Sequence, residues 1–491
     1  MERAAAVESP GRRARVLVAG AGGAIGAAVC GDLARDHHVI ALVGSEFRLR
    51  TAEARPWIEW RACEPFSGPD VEAAMAGCEY VVYLVHTRVS TARLDQAACE
   101  DMDLLIADNV ARAASRHGVR QIIHLGRLGP PEGAGRERSG EVRDALAFYG
   151  APVTTLRAGL VVAPGSSVLK LLDAATRPRV VLVPKWAVTR KQPIAVGDVI
   201  RGMRFCLGNE SALGRAFDIG GPATVDFREL LRQAARVLGR HPALVTLPLF
   251  PRQLYLTYLR LLDRRSHPAL LRLAVENLGA DTVAQDNPVQ RFVVEGAASP
   301  RDLVEASLGP SDERLRSNPR EASSADYLAD LRARRRVRSI QRLELPTGWN
   351  AVSVADHYFR WLPGFNLHLV KCEMDGRGSC RVSSRIPRRV LLELSFQPGE
   401  SSPESRLYLI TGGLLARGQV GGRPRMEFRD VLGGRQTIVA IHDFAPQLPW
   451  LLYRATQAAI HLVVMRAFQR HMARLASRPA ATATAARRSP P

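Results

Sequence analysis

The chain has 491 residues, of which 46% are hydrophobic and 24% are charged. A chain of this length is too long for one ordinary hydrophobic core, so we expect two or three domains. The composition is that of a globular protein. The sequence has no run of 18 apolar residues and no N-terminal signal pattern, so we expect a cytoplasmic protein without a transmembrane segment.

The formal net charge of +20 raises the question of nucleic-acid binding. Only four of the 68 basic residues are lysines, and the arginines are scattered along the chain. This skew indicates a preference for arginine over lysine and a solvated basic surface. We therefore do not expect nucleic acid among the partners.

The seven cysteines lack the clustered spacing of metal ligands, and no metal site is predicted. Cys372 and Cys380 flank a turn and could face each other across a hairpin. We expect both thiols to stay reduced in a cytoplasmic protein.

A short apolar run over 15–19 ends in glycines and continues into a helix start. This order predicts the strand, tight turn and helix of a Rossmann unit. Gly20 would permit the sharp turn, Gly23 would let the backbone approach a pyrophosphate, and Gly26 would let the helix pack closely on the strand. Free N–H groups at the helix N-terminus would bind the phosphates. The predicted dinucleotide contacts of this turn are Gly20, Ala21, Gly22, Gly23, Ala24, Ile25 and Gly26.

Strands and helices alternate after this turn. The pattern predicts helices over 25–34, 71–75 and 97–117, and strands over 39–43, 80–85, 119–126 and 153–156. Such alternation indicates an α/β domain with a doubly wound parallel sheet. Further cofactor contacts are expected where the second and third of the predicted strands end, at Gly44, Leu84, Val85 and His86.

The cofactor preference is left open by the residues after Gly44. Glu46 would favour NAD through the ribose hydroxyls, whereas Arg48 would favour the 2′-phosphate of NADP. Both could instead be solvated loop charges. The sequence therefore predicts NAD or NADP without choosing between them.

An ordered set of motifs extends over residues 14–310. It comprises the glycine turn, 83–86, Asn109, 118–126, 156–159, 192–199 and 217–222. The set resembles the atypical and extended short-chain dehydrogenase/reductase superfamily, in particular predicted nucleoside-diphosphate-sugar epimerases and NmrA-like NAD(P)H-binding proteins of bacteria. The resemblance implies a Rossmann domain over 14–307, whose capping subdomain would span about 178–307.

The catalytic residues of that superfamily are missing. Active members use a tyrosine as proton donor, a lysine four residues later and a serine or threonine that orients the carbonyl. None of the nine tyrosines here has a lysine four residues on. The tyrosine aligns with Arg138, the lysine with Val142, and the serine position falls near Gly126. The candidate replacements, each of which could instead be structural, are His86, His124, Arg127 and Lys185.

A basic segment containing Lys185, Arg190 and Lys191 lies where family members build the substrate side of the cleft. It favours an anionic or phosphate-bearing ligand, although it could also be a solvated loop.

Residues 308–337 have the polar, turn-rich composition of a linker, and we expect 1–14 and 477–491 to be disordered. Between them, 338–476 predicts an antiparallel sheet, a helix over 354–362 and a long C-terminal helix over 450–475. The strands are predicted over 339–345, 367–372, 379–386, 389–396, 407–411, 425–431 and 436–442. The apolar stripe of the long helix is predicted to contain Trp450, Tyr453, Gln457, Ile460, Val464 and Phe468.

A sheet crossed by one long helix resembles the helix-grip (START-like) α+β fold, which can enclose an apolar cavity. The motifs 358–363, 410–413, 441–444 and 448–453 are similar to an uncharacterised C-terminal domain that follows Rossmann domains in the same bacterial family. His442, Asp443 and His461 could form a proton-transfer set or could be satisfied structural groups.

Three functions follow from these expectations. The first is oxidoreductase or epimerase-type chemistry on a small molecule, anionic or lipidic, without the usual tyrosine and lysine. The second is a non-catalytic NAD(P) sensor or assembly protein. The third is hydrophobic-ligand binding by the C-terminal domain.

Overall fold

The computed structural model describes residues 13–44, 49, 54–87, 94–129, 134–163, 166–262, 271–272, 275–276, 278–308, 336–365, 369–416 and 423–477. They form two compact units. The first unit contains the described residues up to 87 and from 109 to 308. The second contains 94–108 and the described residues from 336 onward.

The described strands are, in chain order, β1 (Arg15–Ala19), β2 (His38–Val43), β3 (Ile58–Ala62), β4 (Tyr80–Tyr83), β5 (Leu94–Ala97), β6 (Gln121–Arg127), β7 (Val153–Ala158), β8 (Val161–Val162), β9 (Val180–Pro184), β10 (Arg190–Lys191), β11 (Ile194–Ala195), β12 (Ala216–Ile219), β13 (Val225–Asp226), β14 (Ala243–Leu247), β15 (Val337–Glu344), β16 (Val370–Met374), β17 (Cys380–Ser384), β18 (Arg389–Phe396), β19 (Ser405–Gly412), β20 (Arg425–Val431) and β21 (Gln436–Phe444).

The described α-helices are α1 (Ala24–Leu33), α2 (Gly68–Met75), α3 (Cys99–Arg116), α4 (Ala134–Ala147), α5 (Ser167–Ala175), α6 (Val196–Cys206), α7 (Phe227–Val237), α8 (Arg252–Leu262), α9 (Pro288–Val294), α10 (Pro300–Leu308), α11 (Ala351–Phe365), α12 (Trp450–Ala455) and α13 (Gln457–Ala476). Short 3-10 helices lie at Lys185–Ala187, Glu210–Ala212 and Pro398–Glu400. None of the helices in the described ranges is long and apolar enough to cross a membrane.

The first unit is built on a seven-stranded parallel sheet with the order β3-β2-β1-β4-β6-β7-β12. This is the strand order of a doubly wound Rossmann sheet with one strand added at the end. The order reverses between β1 and β4, and ligands of such sheets bind at the carboxyl ends of the strands beside that reversal. The predicted parallel Rossmann-like α/β domain is confirmed.

Strand β3 was not predicted, for a physical reason. It is an edge strand, and all five of its residues are only half-buried. Its charged residues Glu59 and Arg61 interrupt the apolar run that identifies the inner strands. An edge position tolerates such charges because one side of the strand is unpaired.

A second apolar core of the first unit lies among α5, α7, α8 and β9. Its buried residues include Leu172, Val181, Leu231 and Tyr255. This core adjoins the carboxyl ends of the sheet through the lining of the cavity described below.

The second unit contains an eight-stranded sheet with the order β16-β17-β18-β19-β20-β21-β15-β5. Its neighbours are antiparallel, except that β5 runs parallel to β15. Helix α11 contacts β16, β19 and β20, and α13 contacts β15.

The predicted C-terminal helix differs from the structure in two respects. It is divided at Thr456 into α12 and α13, and Thr456 has non-helical backbone angles. The predicted stripe residues Tyr453, Val464 and Phe468 are buried, but Ile460 is 62% exposed. Ile460 was wrongly predicted because the buried face of α13 is centred on Ala458, Val464, Met465, Phe468 and Met472, and Ile460 lies outside that face.

Cys372 on β16 and Cys380 on β17 lie on neighbouring strands of the hairpin, diagonal to each other. Cys372 is opposite Val382 and Cys380 is opposite Met374, so the two are not direct cross-strand partners. Both are free thiols, of which Cys380 is buried and Cys372 half-buried.

Strand β5 is an insertion of the first half of the chain into the second unit. Gln96 Nε2 donates to the Ala458 carbonyl at 2.8 Å, and Gln341 Nε2 donates to the Gln96 carbonyl at 2.6 Å. A continuous domain over 14–307 and a helix starting at 97 were expected instead. Strand β5 was not predicted for two reasons. Its four residues, two of them polar, show no strand pattern, and its partners lie hundreds of residues away in the sequence.

A buried ion pair anchors this insertion, and its removal is our first prediction. The side chains of Asp95 and Arg338 are 6% and 4% exposed and approach within 3.9 Å. Asp95→Ala should lower the free energy of unfolding by about 3 kcal/mol because it leaves a buried guanidinium without this carboxylate. Urea denaturation followed by tryptophan fluorescence measures the effect.

The matched control is Arg381→Ala, which breaks an exposed pair with Glu393 (60% and 41% exposed) and should cost less than about 1 kcal/mol. Equal effects of the two substitutions would contradict the assignment of β5 to the buried sheet edge.

Candidate functional site

Two glycines of the turn between β1 and α1 are required by packing. Gly20 has a φ of +93°, and a Cβ there would lie 3.1 Å from the Leu84 backbone. A Cβ at Gly26 would overlap the Gly20 carbonyl oxygen. Helix α1 can therefore lie against the turn only because Gly26 has no side chain.

Gly23 is different, because packing within the protein does not require it. A Cβ there would lie 3.6 Å from the Gly20 oxygen, which is an ordinary contact. Gly23 N donates to the Gly20 carbonyl at 3.2 Å, and Gly23 caps α1 without a side-chain hydrogen bond. The first turn of α1 contains no acidic residue, so its N–H groups and the positive end of the helix dipole suit a phosphate.

The other predicted cofactor contacts lie at the neighbouring strand ends. Leu84 N donates to the Ala19 carbonyl at 2.9 Å, which holds the residues after β4 beside the glycine turn. Val85 and His86 follow, and Gly44 is exposed after β2. Glu46 and Arg48 lie outside the described residues. The binding role of these positions stays a prediction.

A cavity of about 190 Å³ adjoins the turn. Ile25 and His86 line it on one side, and Gly126, Arg127 and Gly159 line it at the ends of β6 and β7. A protein cavity of about 150 Å³ accommodates benzene, so this volume suits a six-membered ring. The apolar wall consists of Leu125, Leu128, Ala158, Leu160, Val161, Val168, Leu171, Leu172, Phe227, Leu230 and Leu278.

The structure separates the four catalytic candidates. His86 and Arg127 line the cavity. His124 is fully buried inside the sheet, with its ring edge against Tyr83 at a centroid distance of 5.9 Å. Lys185 is exposed on a 3-10 helix and is not among the described lining residues.

The positions aligned with the missing tyrosine and lysine lie on α4. Val142 is buried, and the Arg138 side chain lies outside the described residues. No tyrosine, aspartate or glutamate is found among the described residues that line the cavity.

Lys191 is the cavity residue that was missing from the catalytic candidates. It is only 1% exposed, lines the cavity, and donates through Nζ to the Ala280 carbonyl. Burial lowers the pKa of Lys191 from 10.5 to about 8, and the nearby charge of Asp281 opposes this shift. The sequence signal for the burial of Lys191 was the alternation of side chains along a strand. Arg190 of β10 is exposed, so the side chain of Lys191 points to the opposite, buried side.

The possible proton-transfer set of the second unit has structural partners. His461 Nε2 lies 3.0 Å from Ser339 Oγ, and burial lowers the pKa of His461 to about 4. Asp443 pairs with Arg336 at 3.3 Å and with Arg425 at 3.6 Å. Burial and neighbouring arginines hold the pKa of His442 well below its ordinary value. These contacts favour the structural interpretation.

Potential metal ligands do not cluster in the described part of the chain. Among the residues that the structure describes, no three His, Cys, Asp or Glu side chains come together as potential metal ligands.

Comparison with known proteins identifies the cofactor class. Residues 20–149 match the NAD(P)H-binding family model. The auxiliary protein GraX of Staphylococcus aureus is 27% identical over 141 residues, which are 29% of this chain and 43% of that protein. The match thus spans less than half of the relative's length.

Solved structures show weaker similarity over a longer range. A nucleoside-diphosphate-sugar epimerase from Staphylococcus aureus and an NADPH-dependent quinone oxidoreductase from Escherichia coli each have a TM-score of 0.48 and 16% identity. Each alignment covers 60% of this chain and 99% of the other. The family match and the glycine turn together establish that the first unit carries an NAD(P)-binding domain, and the predicted cofactor class, NAD or NADP, is confirmed.

The two kinds of glycine in the turn lead to opposite expectations. Gly23→Val should lower the free energy of unfolding by no more than about 1 kcal/mol, through the loss of a favourable N-cap residue, and should weaken dinucleotide binding at least about tenfold, because the side chain would occupy the approach of the phosphate. Gly26→Ala should lower the free energy of unfolding by about 2 kcal/mol or more through its clash with the Gly20 carbonyl. Calorimetric titration and thermal melting measure the two effects.

Gly197→Ala on α6 is the control, since a Cβ there meets nothing within 4 Å and should weaken neither stability nor dinucleotide binding. Undiminished dinucleotide binding by the Gly23 variant would show that the phosphate lies elsewhere.

Burial of Lys191 leads to a pH-dependent prediction. Lys191→Met should raise the free energy of unfolding at pH 7 by up to about 3.5 kcal/mol, since the pKa of Lys191 is lowered from 10.5 to about 8 and each pKa unit corresponds to about 1.4 kcal/mol. Between pH 8 and 10.5 the unfolded wild-type chain binds more protons than the folded chain, so wild-type stability rises with pH. The gain in the free energy of unfolding of Lys191→Met over the wild type is therefore complete below pH 8 and disappears above about pH 10.5.

Urea denaturation across this pH range checks the sign. Lys371→Met is the control, because Lys371 is exposed and pairs with Glu373. An advantage of the Lys191 variant that is independent of pH would contradict the shifted pKa.

Proposed function

We propose that the chain is a cytoplasmic NAD(P)-dependent oxidoreductase, or an epimerase-type enzyme that works through transient oxidation, acting on a small anionic molecule. The observation that carries the proposal is the cavity that Ile25 of the glycine turn shares with His86, Arg127 and Lys191. The bound cofactor would supply hydride exchange. The α1 N-terminus would hold its phosphates.

The lining of the cavity supports an anionic substrate. Arg127 carries a permanent charge, and His86 and Lys191 can each carry one. The apolar wall around these groups lowers the local dielectric, which strengthens their attraction to an anion. The same wall would accept a hydrocarbon portion, so a lipid-like acid also fits this class.

A non-catalytic sensor or assembly protein is the second candidate. The observation that favours it is the buried Val142 at the position of the family's lysine. Such a protein would bind the dinucleotide through the same turn and would not consume it.

We also propose that the second unit is a helix-grip-like domain. The support is its antiparallel sheet with α13 beside β15. Ligand carriage would need open apolar space beside the sheet, but aromatic rings pack there closely. Ring centroids of Tyr358 and Phe468 are 5.0 Å apart, and those of Phe359 and Tyr408 are 5.4 Å apart. This packing favours a structural role for the second unit.

Dinucleotide binding and turnover test the proposal. The full chain should bind NADH or NADPH in calorimetric titration, and nicotinamide absorbance should change with at least one member of a panel of anionic carbonyl compounds and alcohols. Arg127→Met should raise KM for that compound about tenfold or more, because it removes a charge-assisted hydrogen bond.

Leu128→Met, a change of similar size without a change of charge, is the control. Failure to bind either dinucleotide would overturn the proposal, and binding without turnover of any compound would favour the sensor.

A further inference from the structure

Lys191 and Thr282 form a polar pair in the wall of the cavity. They are partners in an isolated parallel β-bridge, so their side chains leave the backbone next to each other. The bridge is fixed by hydrogen bonds from Thr282 N to the Arg190 carbonyl (2.9 Å) and from Gln192 N to the Thr282 carbonyl (3.1 Å). Both side chains line the same cavity as Ile25 of the glycine turn.

The hydroxyl of Thr282 is unsatisfied among the residues that the structure describes. Its Oγ1 atom is buried, and within the described part of the chain no group hydrogen-bonds to it. Buried polar atoms are rarely left in this state, because the lost hydration is then not replaced. A carbonyl or hydroxyl oxygen in the cavity would satisfy Thr282.

Lys191 has the properties of a proton donor. Its ammonium group has three N–H bonds, and the Ala280 carbonyl accepts one of them. Among the described residues, Asp281 acts on it electrostatically and is itself paired with Arg190 at 2.9 Å, and His86 and Arg127 line the same cavity. A pKa of about 8 is close to the pH at which general acids and bases work best.

We propose that Lys191 is the catalytic proton donor and acceptor of this site and that Thr282 orients the reacting oxygen. This assignment rests on the proposed function. In reduction, the bound reduced dinucleotide would supply the hydride that forms a C–H bond at the carbonyl carbon as the C=O π bond breaks. The oxygen takes a proton from Lys191 Nζ, which gives an alcohol and leaves the nicotinamide oxidised. The neutral amine then regains a proton from water.

The scarcity of lysine makes this assignment measurable. The chain has four lysines, so protein labelled with [15N]lysine should give four side-chain Nζ signals, of which Lys191→Arg removes one. The pKa of Lys191 should be lower by at least about 1 with the oxidised dinucleotide bound than with the reduced one, because only the oxidised ring is positive. The signals of Lys170, Lys185 and Lys371 should not distinguish the two forms.

Variants test the two roles during turnover of the compound that the panel identifies. Lys191→Met should lower kcat at least about 100-fold, and Thr282→Val at least about tenfold, whereas Thr282→Ser keeps the hydroxyl and should recover most of the loss. For the wild type, kcat/KM for reduction should fall above about pH 8. Lys371→Met should behave as the wild type.

The outcomes separate this inference from the function on which it rests. If neither dinucleotide binds, the proposed function fails. If both forms bind and the pKa of Lys191 is the same with each, or if Lys191→Met retains turnover, only the assignment of Lys191 is overturned.

Discussion

The first unit depends on the absence of a side chain at Gly26. Because nothing separates α1 from the Gly20 carbonyl, the helix begins directly above the end of β1, at the point where the sheet order reverses. That position aims the first-turn N–H groups at the carboxyl edge of the sheet and brings Ile25 into the wall of the cavity. A phosphate-binding helix end and a ring-sized cavity thus follow from one close backbone contact.

The cavity shows how stability and chemistry oppose each other at such a site. Enclosing the Lys191 side chain disfavours its charged form, and a hydrophobic residue of similar size would cost the fold less. Perturbed ionisable groups in clefts are common where proton transfer occurs, and active sites often retain groups that weaken the fold. The buried hydroxyl of Thr282 belongs to the same pattern, because its full hydrogen bonding depends on a bound molecule.

Prediction from the sequence succeeded where local pattern and structure have the same cause. The buried strands β1, β2 and β4 have continuous apolar runs, and β18 and β20 begin and end where the alternation placed them. The prediction failed where residues distant in the sequence determine the local structure. Lys191 could not be separated from Lys185 by composition, since only the pairing of β10 shows which side chain turns inward. Ile460 was misplaced because spacing alone does not show which face of α13 is buried against the rest of the second unit, and β5 has almost no strand pattern of its own.

Strand β5 has a consequence for the order of events during synthesis. Gln96 and Gln341 are 245 residues apart, so a ribosome working at about 5–20 residues per second makes β15 about 12–50 s after β5. The nascent first unit therefore carries an unmatched sheet-forming segment for far longer than a hairpin needs to form. The second unit, in turn, completes its sheet only by capturing a segment made long before it. A contact of such long sequence separation has a large loop-closure cost, and contacts of this kind slow folding.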